Sequence, residues 1–244
     1  MRSLLTPKWL MSHLFVVLMA VMMLNLAFWQ LRRLDDTRVD NDAIRAASAR
    51  APTMIEDLLS AEQLPLDHTA TVVEGTYLAE ASFLVANRTF DTRAGSWLAT
   101  PVQLDDGRVV VVSRGWVPRL WVAGTDTRDT SPPAGRVKVT GRVFDTLGGG
   151  RVGSGRARFP EVNRIDLATV SEAIGIEVVD LWVQLESQVP TRGDLPVPVP
   201  PPTLDDGPHL SYAFQWFFFS AGAVVVYGLI LRRRLREYRG VSAP

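Results

Sequence analysis

The sequence predicts a membrane protein in which two transmembrane α-helices flank an exported, β-rich α+β domain, its strands forming an antiparallel sheet or a barrel-like closure. Three observations lead there. Residues 14–31 (LFVVLMAVMMLNLAFWQL) and 212–231 (YAFQWFFFSAGAVVVYGLIL) are uncharged runs of 18 and 20 residues. At a rise of ~1.5 Å per residue, each spans roughly 27–30 Å, enough to cross the hydrocarbon core of a bilayer. Between the runs, several segments alternate apolar and polar residues, the pattern of half-buried strands.

The elements follow in chain order. Residues 1–13 form a short cytoplasmic N-terminus and 14–31 the first transmembrane helix. No small-x-small cleavage site follows this helix directly, and Ala47-Ser48-Ala49 lies too far downstream, so the helix is expected to be retained. The exported domain occupies 32–211, the second helix 212–231, and a basic cytoplasmic tail 232–244. Trp9, Trp29, Tyr212, Trp216 and Tyr227 sit near the ends of the runs, where amphipathic rings favour the interface. Orientation comes from Arg232, Arg233, Arg234, Arg236 and Arg239, which hold the end of the second helix in the cytoplasm. Arg32, Arg33 and Arg38 oppose this, but a long segment is translocated largely regardless of its charge.

Within the exported domain, residues 136–144 (RVKVTGRVF) place Val137, Val139 and Val143 on one face, and 179–185 (VDLWVQL) place Val179, Leu181, Val183 and Leu185 likewise. Asp105-Asp106-Gly107 marks a hairpin turn between strands at 98–104 and 108–117. The apolar run 109–112 reads as a central strand, and 71–78 and 82–87 as two more. Short helices are expected at 53–61 and at 166–174, the second with Asp166 as N-cap. Residues 190–202 (PTRGDLPVPVPPP) cannot continue a central strand and are expected to form an extended spacer.

Composition narrows the chemistry. The 244 residues carry a formal net charge of zero, so no overall field favours nucleic acid. All 26 basic residues except Lys8 and Lys138 are arginine, a bias expected of a high-GC bacterial genome. The absence of cysteine excludes disulfides, thiolate catalysis and cysteine-based copper or zinc sites. The three histidines, at 13, 68 and 209, have no metal-site spacing. Gly148, Gly150 and Gly153 fit G-x-G-x-x-G, but Pro160 interrupts where a phosphate-binding helix would run, so a flexible arginine-rich loop is expected. Asp35-Asp36, Asp105-Asp106 and Asp205-Asp206 read as solvated carboxylates.

Two places carry more information. Ser113-Arg114-Gly115-Trp116-Val117-Pro118 closes a strand with an arginine, a glycine and a tryptophan. Either Trp116 packs in the core while Arg114 reaches an acid, or the pair forms a docking surface. The polar residues of the spans are few: Asn25 and Gln30 in the first, Gln215 and Ser220 in the second. Asn25, Gln30 and Gln215 are expected at similar depth, able to bond one another. His209, above Gln215, can donate to a phosphate, pair with an Asp or ligate a haem iron.

Nearly the whole chain resembles the Surfeit locus protein 1 family, assembly factors of haem-copper cytochrome c oxidase. The resemblance lies in Phe28-Trp29-Gln30-Leu31, Val73-Glu74-Gly75-Thr76-Tyr77 and Thr100-Pro101-Val102. It lies also in Asp106-Gly107 leading to Ser113-Arg114-Gly115-Trp116-Val117-Pro118, and in His209-Leu210-Ser211-Tyr212-Ala213-Phe214-Gln215-Trp216. Ala27 stands where many members carry glycine. The resemblance implies a bacterial, actinobacterial-type, non-enzymatic factor in the plasma membrane that assists haem a insertion into, or stabilisation of, the oxidase catalytic subunit, with haem A synthase as a further partner. It implies transient binding of haem a with His209 as axial ligand, and Trp29, Gln30, Gln215 and Trp216 lining or positioning the site. Arg114, Gly115, Trp116 and Asn25 then serve structure or docking. The alternative is a stably associated oxidase subunit with no haem-handling role.

Overall fold

The structure, a computed structural model, describes residues 6–61, 67–153, 158–191, 193–201 and 203–241, with side chains up to residue 237. It divides into two compact units, Met1–Ala43 with Thr203–Pro244, and Ile44–Pro202.

The first unit is made of two long helices. Helix α1 runs Pro7–Ser48 and α5 runs His209–Val241. Both are long and apolar enough to cross a membrane, and only 17% and 6% of their apolar windows are buried inside the molecule, unlike the core helix of a soluble protein. Helix α1 does not stop where the apolar run ends. From Leu31 to Ser48 neither proline nor glycine intervenes, so the helix continues in polar sequence until Pro52 approaches. Helix α5 starts after Gly207-Pro208, and the Pro208 carbonyl accepts from Tyr212 N at 3.1 Å.

The second unit is a mixed sheet with short helices. Its strands are β1 (Thr53–Met54), β2 (Ala70–Tyr77), β3 (Phe83–Phe90), β4 (Arg93–Gln103), β5 (Val109–Pro118), β6 (Arg136–Asp145), β7 (Glu161–Val162) and β8 (Leu181–Val189). They lie in the order β1-β2-β6-β8-β5-β4-β3-β7, and β2 also pairs with β4 through Thr76–Gln103 and Tyr77–Val102, so the sheet curls back on itself. Strand β5 is central. Val110 and Val112 enter one apolar cluster with Val73, Val139 and Val183, while Val111 enters another with Phe83, Leu167 and Trp182. A strand covered on both faces reads as a continuous apolar run, which is why four valines in succession suit this place.

The pairing is not purely antiparallel. Strand β8 runs antiparallel to β6 but parallel to β5, with Val111 opposite Trp182. Chain order brings β8 in last, between β6 and β5, which run in opposite directions, so one of its two ladders has to be parallel. The turn between β4 and β5 is closed by Leu104 N donating to the Arg108 carbonyl at 2.9 Å, with Arg108 clasping Asp106. The helices are α2 (Ile55–Ser60), α3 (Arg119–Val122) and α4 (Leu167–Ile174). Asp166 caps α4 by accepting from Thr169 N at 3.3 Å and also accepts from Gly150 N at 2.7 Å. These backbone donors hold its carboxyl below the usual range. Residues 154–157 of the arginine-rich loop lie outside the described residues. The preceding stretch is pinned by Arg151 N donating to Asn163 Oδ1 and by a Val152–Val162 bridge.

In the proline-rich stretch after β8, Gly193 turns the chain at φ +62°, and Leu195 and Val197 pack against the sheet unit. Leu195 is 3% exposed in a cluster with Leu84, Leu98, Val117 and Trp121. Val197 N donates to the Trp116 carbonyl and Trp116 N to the Val197 carbonyl, at 2.9 and 2.7 Å. The segment thus continues the edge of β5 beyond Ser113, where β8 leaves it.

Candidate functional site

The candidate site stands at the head of α5, and the packing of α1 on α5 creates it. The buried residues of α1 are Ala20, Ala27, Leu34 and Asn41, each seven positions after the last. Those of α5 include Ala213 and Ser220, also seven apart. Such a period keeps one stripe facing a partner helix as in a left-handed coiled coil, and small side chains let the backbones approach. Ser220 Oγ donates to the Ala20 carbonyl at 3.2 Å, and Phe28 meets Phe217 edge-on at 5.5 Å between centroids. At one end of the stripe His13 Nδ1 lies 2.7 Å from the Tyr227 hydroxyl.

At the other end the apolar stripe gives way to a polar clamp. His209, half-buried at the first position of α5, has Nδ1 at 2.9 Å from Gln30 Oε1 of α1. The turn before it is tied to the polar extension of α1. Arg38 pairs with Asp206 at 2.7 Å, and Asn41 Nδ2 donates to the Asp205 carbonyl at 2.9 Å. Asp205 Oδ1 in turn accepts from Gly207 N at 2.9 Å. The hydrogen bond and charge of Asp206 raise the Arg38 guanidinium above its ordinary value. Asp205 and Asp206, expected as merely solvated, are therefore parts of a turn held from two sides. Nothing in the local sequence reveals this, because their partners lie over 160 residues away.

The other residues singled out in the spans behave differently. Asn25 Nδ2 donates to the Val21 carbonyl of its own helix at 2.9 Å. Gln215 is exposed, Trp29 is 50% exposed, and Trp216 is half-buried against Phe219. The structure thus brings together Gln30 and His209, leaving Asn25 and Gln215 off the stripe. Among the described residues no group of three or more His, Cys, Asp or Glu side chains converges to hold a metal ion.

The strand-end motif lies inside the sheet unit. Trp116 is 2% exposed, and its Nε1 donates to the Arg88 carbonyl at 3.2 Å. Arg114, also 2% exposed, donates from NH1 to the Thr130 carbonyl at 2.7 Å and lies 5.4 Å over the Tyr77 ring. Burial raises the Tyr77 phenol above its usual range, and its hydroxyl donates to Gln188 Oε1 at 2.9 Å. Gly115 has φ +143°, and a Cβ there would overlap the Val197 carbonyl oxygen. Glycine is therefore required where the proline-rich segment docks. A pocket of about 220 Å³ opens beside this cluster, lined in part by Arg114, Gln188, Thr191 and Pro196.

The sequence model of the SURF1 family matches residues 17–221, from inside α1 through the sheet unit to the first turns of α5. The chain belongs to the SURF1 family. A SURF1-like protein of Mycobacterium tuberculosis is 29% identical over 252 residues, covering 99% of this chain and 91% of that protein. One from Rickettsia bellii is 23% identical, covering 91% of each chain. One from Caenorhabditis elegans is 27% identical over 57% of this chain and 49% of its own length. The mycobacterial match over nearly the full length agrees with an actinobacterial-type member of the SURF1 family. The matched range includes both halves of the clamp, Gln30 and His209.

Proposed function

We propose that this SURF1-family chain is a membrane-anchored, non-enzymatic assembly factor for a haem-copper cytochrome c oxidase, which holds haem a as cargo on its way into the catalytic subunit. Helices α1 and α5 are its two membrane anchors in the bacterial plasma membrane, with both termini cytoplasmic and the sheet unit outside. The oxidase catalytic subunit and haem A synthase are its partners.

The observation that carries this reading is the imidazole of His209, held at the head of α5 by Gln30. A free metal ion binds best where several protein ligands meet, and no such cluster exists among the described residues. An iron already held by four porphyrin nitrogens asks the protein only for axial ligands and an apolar face, which one histidine on a pair of apolar helices suits. The cargo supplies the iron and the ring. The chain supplies the imidazole, the orientation set by Gln30, and a turn anchored by Arg38 and Asn41.

Deletion of the gene tests the proposal. Membranes of the deletion strain are expected to lose the absorption of assembled haem-A oxidase while still containing free haem A. Normal oxidase spectra refute it. Presence of this chain in the purified mature oxidase at equal stoichiometry points instead to a permanent subunit.

A further inference from the structure

We propose that Gln30 and Gly207 act as positioning residues for His209: Gln30 selects the tautomer whose Nε2 lone pair is free, and Gly207 keeps the space beside that nitrogen open. The inference rests on the reading of His209 as the haem a ligand, but its first half is testable without haem.

A neutral imidazole carries one N–H, and a carboxamide oxygen accepts but does not donate. With His209 Nδ1 at 2.9 Å from Gln30 Oε1, the proton belongs on Nδ1. The lone pair then sits on Nε2, the nitrogen that can bind iron. A partner on the second nitrogen is the general way in which a metal-binding histidine is oriented.

The opposite edge of the ring is shaped by the turn. Gly207 has φ +64°, and a Cβ built there would lie 3.4 Å from Cδ2 and 3.5 Å from Nε2 of His209. Any side chain at 207 begins on the coordinating edge. The turn is tied to α1, where Arg38 pairs with Asp206 and Asn41 donates to the Asp205 carbonyl, and Asp205 accepts from Gly207 N. Ring and turn are each fixed to α1, so the free nitrogen has a defined opening. A bulky planar macrocycle held through one nitrogen of a half-buried imidazole would need such an opening.

The test uses the full chain in lipid nanodiscs with ¹⁵N-labelled histidine, the His209 signals assigned by their loss in His209→Ala. Without haem, Nε2 is expected to show the shift of an unprotonated ring nitrogen and Nδ1 that of a protonated one. Gln30→Leu is expected to mix the tautomers and weaken haem a binding about 10- to 100-fold. Gln30→Glu keeps an acceptor and is expected to restore both. Gly207→Ala is expected to keep the tautomer and still weaken haem a binding. A protonated Nε2 in the wild-type protein, or unchanged tautomer and haem affinity in Gln30→Leu, overturns the role of Gln30. Wild-type haem affinity in Gly207→Ala overturns the role of Gly207. If the wild-type protein shows the stated tautomer but takes up no haem a, the haem reading fails and the assignment of Gln30 stands.

Discussion

Replacing Gly115 by alanine separates a structural from a docking role for the strand-end motif. The structure sets the size of the effect. Gly115 lies at φ +143°, where a side chain is strained by about 1–3 kcal/mol. The new methyl would also collide with the Val197 carbonyl, which takes part in the paired hydrogen bonds between Trp116 and Val197 at 2.7 and 2.9 Å. Losing both bonds adds about 0.5–1.5 kcal/mol each. Gly115→Ala is therefore expected to destabilise the sheet unit by about 2–6 kcal/mol, before any loss from Leu195 leaving its cluster. Urea unfolding of the full chain in nanodiscs, followed by tryptophan fluorescence, measures this through Trp116 and Trp121. A shift below about 0.5 kcal/mol, the size typical of surface substitutions, would refute the structural reading. A loss of partner binding without a loss of stability would favour a docking surface.

Other expectations follow from the same geometry. Ala27 is fully buried on the helix stripe, so Ala27→Leu is expected to overpack it and weaken the α1–α5 pairing by about 1–3 kcal/mol, read from the detergent concentration that separates the helices. Unchanged pairing would mean that the stripe is not close-packed. Burial lowers the pKa of His68 from its ordinary 6.5, with Arg142 acting in the same direction and Asp67 against it. The folded state thus favours the neutral ring, so this stabilisation is present above about pH 6.5 and is lost as pH falls through the folded pKa. His68→Asn, which tolerates the φ of +65°, is expected to flatten that acid-side loss, and an unchanged pH profile of stability contradicts the assignment.

Much of the sheet unit was legible because burial on one face leaves a period of two. Val137, Val139 and Val143 enter one cluster as the alternation requires, and the turn at Asp105-Asp106-Gly107 and the cap at Asp166 are local motifs that stand where expected. Strand neighbours were not legible. Alternation shows which face a residue takes, not which strand lies beside it, so the parallel β5–β8 ladder and the β2–β4 contact were hidden.

In the helices the signal was present but masked by uniform hydrophobicity. The spacing of Ala20 to Ala27, and of Ala213 to Ser220, marks the stripe through small residues rather than polar ones. Once it is located, the polar residues fall into place. Asn25 and Gln215 are two positions from Ala27 and Ala213, about 200° around each helix, and so face outward. Gln30, three positions after Ala27, stays within reach of the stripe and meets His209. Equal depth in a span made Gln30 and Gln215 look like partners, but helical phase decides which pair forms.

The most direct test of the account is titration of haem a into the purified full-length protein in nanodiscs, comparing wild type with His209→Ala. The wild-type protein is expected to show a Soret and α-band signature of imidazole-ligated haem a that disappears in the variant while the sheet unit keeps its unfolding profile. An identical spectrum in the variant, or none in the wild type, would contradict the account.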